Sequence, residues 1–220
     1  MISVIVPTQN SATALPHCFD SLIAATVRGL VREVIVADGS SVDETLRIAD
    51  GTGAHITKGG KTRGERLNAG ARSARSDWLL FLHPETALEP GWEAEVESFL
   101  SRVTLEHPRA ATFRFAVDDF GSSARRREIY AALRCWLFGL PYGNQGLLIP
   151  KRLYQKLGGY RELNSFEDAD MVRRIGRRRL VMLRSRAVNT AKRPERRLRS
   201  LIYVVLHAVR VPTSLMARLS

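Results

Sequence analysis

Cysteine is nearly missing: the chain of 220 residues has two, Cys18 and Cys135. They lack the paired spacing of a redox motif or a zinc site. Both lie in apolar, helix-like surroundings, so both are expected to be reduced core residues. Long apolar runs are missing too. No stretch reaches the roughly 18 residues of a membrane span. Residues 1–7 lack the basic lead of a secretory signal and read as a strand, so the expected location is the cytoplasm. Acids are in deficit, with 22 Asp and Glu against 34 Lys and Arg, a net charge of +12. That balance favours anionic partners, whether nucleic acid, anionic lipid or a phosphorylated substrate, without choosing among them. What remains is ordinary globular composition, with 45% apolar residues, 16 Gly and 9 Pro. It excludes a collagen, a coiled coil, a disordered tail and a disulfide-rich miniprotein. A chain of this length buries about 70% of its unfolded surface and needs neither disulfide nor metal to fold.

Hydrophobic patterning then sets the organisation. Short apolar runs at 2–6, 33–37, 54–57 and 78–82 read as strands. Between them, 12–30, 42–50 and 64–74 carry helical spacing, with Ser41 as the expected cap of the second helix. Strands alternating with helices imply a parallel sheet covered on both faces, with ligands beyond the carboxyl ends of the strands. Further strands are expected at 110–117, 146–149 and 180–183, and helices at 125–140, 151–157 and 166–178. Gly158 and Gly159 are the expected stop of the 151–157 helix. A basic stretch at 192–199 and an apolar helical tail at 201–219 follow. The expected division is a domain at 1–190, with a nucleotide-binding half (1–90) and an acceptor half (91–190), plus the tail at 191–220.

Two generic phosphate motifs fail. Gly60-Lys61-Thr62 resembles the end of a phosphate-binding loop, but His55 stands where that loop needs glycine. Gly51-Thr52-Gly53 follows a helix and lacks the third glycine of a dinucleotide loop. A different set fits together: Pro7-Thr8-Gln9-Asn10 after the first strand, Asp38-Gly39-Ser40-Ser41 after the second, Arg63 to Gly70 into the third helix, and His83-Pro84-Glu85 after the fourth strand. In this order and spacing the sequence resembles the family 2 glycosyltransferases of GT-A fold. It is most similar to their short bacterial branch, the selenodomain-associated transferases. The resemblance runs from Ile2 to about Gly176.

The resemblance implies an α/β GT-A fold, Rossmann-like, with a mostly parallel central sheet, helices on both faces and a basic helical tail. It also implies an inverting, metal-assisted transfer of sugar from a nucleotide-diphosphate donor, UDP-linked by expectation, to a hydroxyl acceptor that could be lipid-linked or a glycan. Asp38 is placed at a strand end to hold ribose or base edges, though such an Asp also caps helices. Pro7, Thr8 and Asn10 would shape the base site. Arg63 would meet the diphosphate or the base, or else be a solvated arginine. Asn68 would support the nucleotide loop or serve only in packing. The family's metal-binding Asp-x-Asp is replaced by His83-Pro84-Glu85, which makes Glu85 the metal ligand and His83 its neighbour or co-ligand. Mg²⁺ or Mn²⁺ suits oxygen donors, and a histidine tilts the choice toward Mn²⁺. Glu167-Asp168 matches the family's base motif, with Asp168 as general base and Glu167 orienting the acceptor or acting in its place. Gln145 would contact the sugar or its phosphate, beside Asn144 where the branch carries Asp.

These departures leave a second reading open, a non-catalytic binding module that keeps the fold. A nucleotidyltransferase would need a Gly-rich, Lys-containing loop after the first strand, where Pro7-Thr8-Gln9-Asn10 stands. Nucleic acid is not an expected partner, because the basic clusters lack interleaved aromatics. The tail, apolar with basic neighbours, suits an anionic membrane surface or simple packing on the domain.

Overall fold

Branched residues dominate the first strand, Ile2–Thr8 (β1), and all of it is buried. Successive side chains serve opposite faces of the sheet. Val4 and Val6 enter one core and Ile5 the other. The same alternation divides Leu80 and Leu82 from Leu79 and Phe81. A strand buried on both faces is the signature of a sheet covered on both sides.

The computed structural model describes residues 1–104, 106–118, 126, 143–163 and 166–190. The other strands are β2 (Val31–Asp38), β3 (His55–Lys58), β4 (Trp78–Phe81), β5 (Thr86–Leu88), β6 (Ala110–Val117), β7 (Leu147–Pro150) and β8 (Leu180–Asn189). The helices are α1 (Leu15–Asp20), α2 (Ile23–Val27), α3 (Thr45–Gly51), α4 (Arg63–Ser73), α5 (Trp92–Arg102), α6 (Lys151–Lys156) and α7 (Glu167–Ile175). One sheet holds all eight strands in the order β3-β2-β1-β4-β7-β6-β8-β5. Its first four strands are mutually parallel. β7 then joins β4 antiparallel, and the second half mixes both directions. Helices α1, α2, α3 and α5 cover one face, and α4, α6 and α7 cover the other.

Several expectations are corrected. The helix expected at 12–30 is two short helices. The Ser21 carbonyl between them accepts the Trp92 indole N–H at 3.0 Å, and the Ser21 hydroxyl turns back to Cys18 O. Those bonds draw the backbone out of a continuous helical ladder. Ser41 is not the cap of α3, which starts at Thr45. Asp43 accepts the Thr45 N–H instead, while the Ser41 hydroxyl goes to Asp38. β5 and α5 are elements the sequence pattern did not give. β8 runs to Asn189 rather than 183, and α7 stops at Gly176, which has φ +80°. The 151–157 helix does end at Gly158 and Gly159, both left-handed. Cys18 is free and buried, which pushes its thiol up to about 12. Cys135, the 125–140 helix and the 191–220 tail lie outside the described residues.

Gly70 sets how closely α4 lies on β1. A Cβ there would collide with Ile5 Cγ2, deep in the core. Gly70→Ala is therefore expected to destabilise the fold by about 2 kcal/mol, the usual cost of overpacking. The drop would be read as a lower urea midpoint at unchanged slope; an unchanged midpoint would contradict the close approach.

Candidate functional site

The parallel strands bring their carboxyl ends to one edge. In register, Thr8 pairs with Asp38 and Asp38 with Lys58. Asp38 is 6% exposed. Its Oδ1 accepts from the Thr8 hydroxyl at 2.8 Å and the Ser41 hydroxyl at 2.5 Å, and its Oδ2 from Ser41 N at 2.8 Å. A carboxylate has about four acceptor positions, so one on Oδ2 is left by these bonds. Pro7 is buried in register with Ala37.

The loops after β1 and β2 are fastened together. Asn10 N donates to Ser41 Oγ, Val42 N to Asn10 Oδ1, Ser11 N to Thr45 Oγ1 and Ala12 N to Asp43 Oδ2. Asn10 thus holds loop to loop through its backbone N–H and Oδ1. The Thr45 hydroxyl, with backbone N–H donors, holds the Asp43 carboxyl below its ordinary range. Asn10 and Ser40 are left-handed at φ +51° and +67°. The third such non-glycine residue among the described residues is Phe166, which precedes Glu167. Strained backbone at three points around one cleft marks it as a functional candidate.

Arg63, at the start of α4, donates to Glu167 Oε1 at 2.6 Å and also bonds Asp168 Oδ2. Burial works against its charge, but the carboxylates of Asp168 and Glu167 outweigh it and hold the guanidinium protonated. The Tyr160 hydroxyl donates to Asp168 Oδ1 at 3.2 Å. Each oxygen of Asp168 therefore has its own donor. Tyr160 is in turn fixed by Asn68, whose Oδ1 accepts Tyr160 N at 3.0 Å and the Tyr154 hydroxyl at 2.6 Å, and whose Nδ2 donates to Tyr160 O at 2.6 Å. Asn68 is joined to the acid motif through Tyr160 and has no described hydrogen bond to the loops after β1 and β2. Gly64 allows the approach, since a Cβ there would strike the Arg161 carbonyl.

His83 and Glu85 follow β4. His83 Nδ1 accepts Glu85 N at 3.3 Å and lies 3.7 Å from Glu85 Oε2. The pair is not an ion pair. Burial, and then the neighbouring Arg63, push the imidazole down to about 3, so it is neutral. The Glu85 carboxylate, about one-third exposed, has no hydrogen bond among the described residues, a state that suits a cation ligand. No three His, Cys, Asp or Glu side chains cluster as a metal cage among the described residues.

Two predicted residues have structural partners. Gln145 is buried and donates to Phe113 O at 2.9 Å. Asn144, beside it, offers its backbone oxygen to the Thr86 hydroxyl. Two residues of the cleft were not legible as such. One is Tyr160. The other is Arg66, 8% exposed, which packs on Gly39 and Gly59 where any Cβ would collide with it. Arg66 NH1 donates to Lys61 O at 2.9 Å, and burial holds its guanidinium below the ordinary range. The Nε groups of Arg63 and Arg66 are both buried without a partner among the described residues, two donors open to acceptors. The glycines at 39 and 59 were the available signal for Arg66.

Arg66 packs on Gly39, next to Asp38, and Arg63 joins the start of α4 to Glu167 and Asp168. The charge of Arg63 bears on both Arg66 and His83. A parallel βα half joined through an antiparallel strand to an acid-bearing second half is the GT-A architecture. Solved structures agree in fold. Glucosyl-3-phosphoglycerate synthase from Mycobacterium tuberculosis, solved with Mn²⁺ and UDP-glucose, superposes with a TM-score of 0.66 at 22% identity, over 96% of this chain and 80% of that one. Residues 1–349 of TarS from S. aureus give a TM-score of 0.65 at 18% identity, over 93% and 65%.

Residues 3–133 match the family model Glycosyl transferase family 2, and the chain belongs to that family. A PGL/p-HBAD biosynthesis glycosyltransferase of Mycobacterium tuberculosis (strain ATCC 25618 / H37Rv) is 35% identical over 121 residues, 49% of this chain and 43% of the relative. A Haemophilus influenzae glycosyltransferase is 24% identical over 184 residues, 80% of this chain and 62% of the relative. The chain therefore spans less than half the length of the mycobacterial relative.

Proposed function

We propose that the protein is an inverting glycosyltransferase that moves a sugar from a nucleotide-diphosphate donor, UDP-linked by preference, to a hydroxyl acceptor. The observation that carries this reading is the Arg63 bridge, because it joins the strand-end nucleotide half to the Glu167–Asp168 motif. Asp38 and the fastened loops form the nucleoside wall. The unpartnered Nε donors of Arg63 and Arg66 suit the oxygens of a diphosphate. Asp168 takes the acceptor hydroxyl's proton as that oxygen attacks the anomeric carbon, and the sugar–phosphate bond breaks on the opposite face. Glu167 orients the acceptor. Glu85 and neutral His83 would hold Mn²⁺ or Mg²⁺, which supplies positive charge to a departing diphosphate. UDP-sugars and Mn²⁺ in the structural relatives support the donor and the cation. Cytoplasmic residence is part of the same reading; no described helix is long and apolar enough to cross a membrane.

Titration calorimetry with UDP tests the donor and metal assignments. Wild type is expected to bind UDP at least about tenfold tighter with Mn²⁺, as a charge-neutralising ion between ligand and carboxylate should give. Glu85→Gln is expected to lose that gain and keep the metal-free affinity. UDP binding indifferent to Mn²⁺ in wild type, with no turnover of any donor, would favour the non-catalytic module. The observation that favours this alternative is Asp168 itself, both of whose oxygens already have donors.

A further inference from the structure

The two helical layers carry opposite charge. Helices α1, α2, α3 and α5 hold five acidic side chains against two basic ones, counting Lys and Arg as basic. Helices α4, α6 and α7 hold eight basic against four acidic. The four acids of this second layer are committed to bonds within the fold. Glu65 caps α4 through Thr62, Glu167 and Asp168 bond Arg63, and Asp170 bonds Arg161 and Arg174. Arg72, Arg152 and Lys156 are exposed on the outer side, and Arg177, Arg178 and Arg179 are exposed in the turn after α7. Glu162 and Asp77, whose carbonyl accepts Lys151 N, are exposed acids beside them.

We propose that the outer surface of α4, α6 and α7 is a docking face for an anionic phospholipid bilayer. Charge complementarity carries this choice. A layer of helices with basic side chains outward and its acids turned inward meets a plane of negative headgroups across a broad front. A nucleic-acid strand would need exposed aromatic platforms, and the tyrosines of this layer, Tyr154 and Tyr160, are buried. The acidic layer on the opposite side of the sheet fixes the orientation by repulsion. Arg63 opens α4, and Glu167 and Asp168 open α7, so the cleft is built on the same helices that meet the headgroups. An acceptor carried in the bilayer would then reach the cleft from the membrane side. The docking itself does not depend on the transfer chemistry.

Sedimentation of the full chain with vesicles decides it. Mixed phosphatidylglycerol–phosphatidylcholine vesicles are compared with phosphatidylcholine alone at about 0.1 M salt, where charges beyond ~10 Å are screened. Arg72→Gln/Arg152→Gln/Lys156→Gln is set against a control of equal net charge on the other side, Arg28→Gln/Arg47→Gln/Arg102→Gln. Thermal melts confirm that both fold. Wild type and the control are expected to sediment with the anionic vesicles only. The α4–α6 variant is expected to bind about 100-fold more weakly, at roughly fivefold per basic side chain near the headgroups. Equal loss in both variants, no loss in either, no sedimentation of wild type, or retention of wild type on single-stranded RNA but not on vesicles would overturn the proposal.

Discussion

Asp168→Asn is expected to lower sugar transfer by about 1,000-fold, within the range that a positioned general base contributes. The amide keeps the size of the carboxylate and an oxygen for Arg63 or Tyr160, but it cannot take a proton. UDP affinity should stay at the wild-type value, since Asp168 opens α7 and has no described bond to the loops after β1 and β2 that form the proposed nucleoside wall. Steady-state turnover and calorimetry on the same protein separate the two quantities. Transfer within about tenfold of wild type would remove Asp168 as base. If Glu167→Gln were then inactive, the role would pass to its neighbour.

Arg63→Met should damage both chemistry and stability. The guanidinium neutralises two carboxylates, and the three side chains are 20%, 9% and 23% exposed. Removing one partner of a buried charge pair leaves the rest uncompensated, which costs about 3 kcal/mol. Turnover should fall by about 100-fold or more, because Asp168 loses the donor on Oδ2 and shifts from its place. Arg63→Lys should recover only part of either loss, since a single ammonium cannot reproduce the planar fork. Urea unfolding gives the first effect and turnover the second. A variant with wild-type stability and wild-type rate would mean that the bridge between the halves has no consequence.

The fold of residues 1–90 was largely legible in the sequence because its signals are local. β1, β2 and β4 are short apolar runs closed by Pro7, Asp38 and His83, and the βα alternation leaves few topologies. Elements defined by tertiary contact escaped. β5 has three residues, and its pairing with β8 lies about 100 positions away in sequence. The break between α1 and α2 depends on Trp92, whose indole proton cannot be placed from the sequence of that helix. The candidate site shows the same division. The residue types at 38, 63, 85, 167 and 168 could be picked out by order and spacing. Their pairings could not: Arg63 was assigned to the donor, and it bonds the acid motif 104 and 105 residues downstream. Asn68 and Gln145 are polar residues near a cleft, and only their buried partners show that they hold backbone. Thr62 and Glu65 form a capping box that spacing alone would have given.

In the proposed function, the bonds that tie Asn10, Ser11 and Ala12 to Ser41, Asp43 and Thr45 also bear on how a nucleoside would be received. Two segments that would otherwise each have to settle around a ribose already stand as one rigid jaw. Little freedom remains to be lost when the ligand arrives, so more of its contact energy survives as affinity.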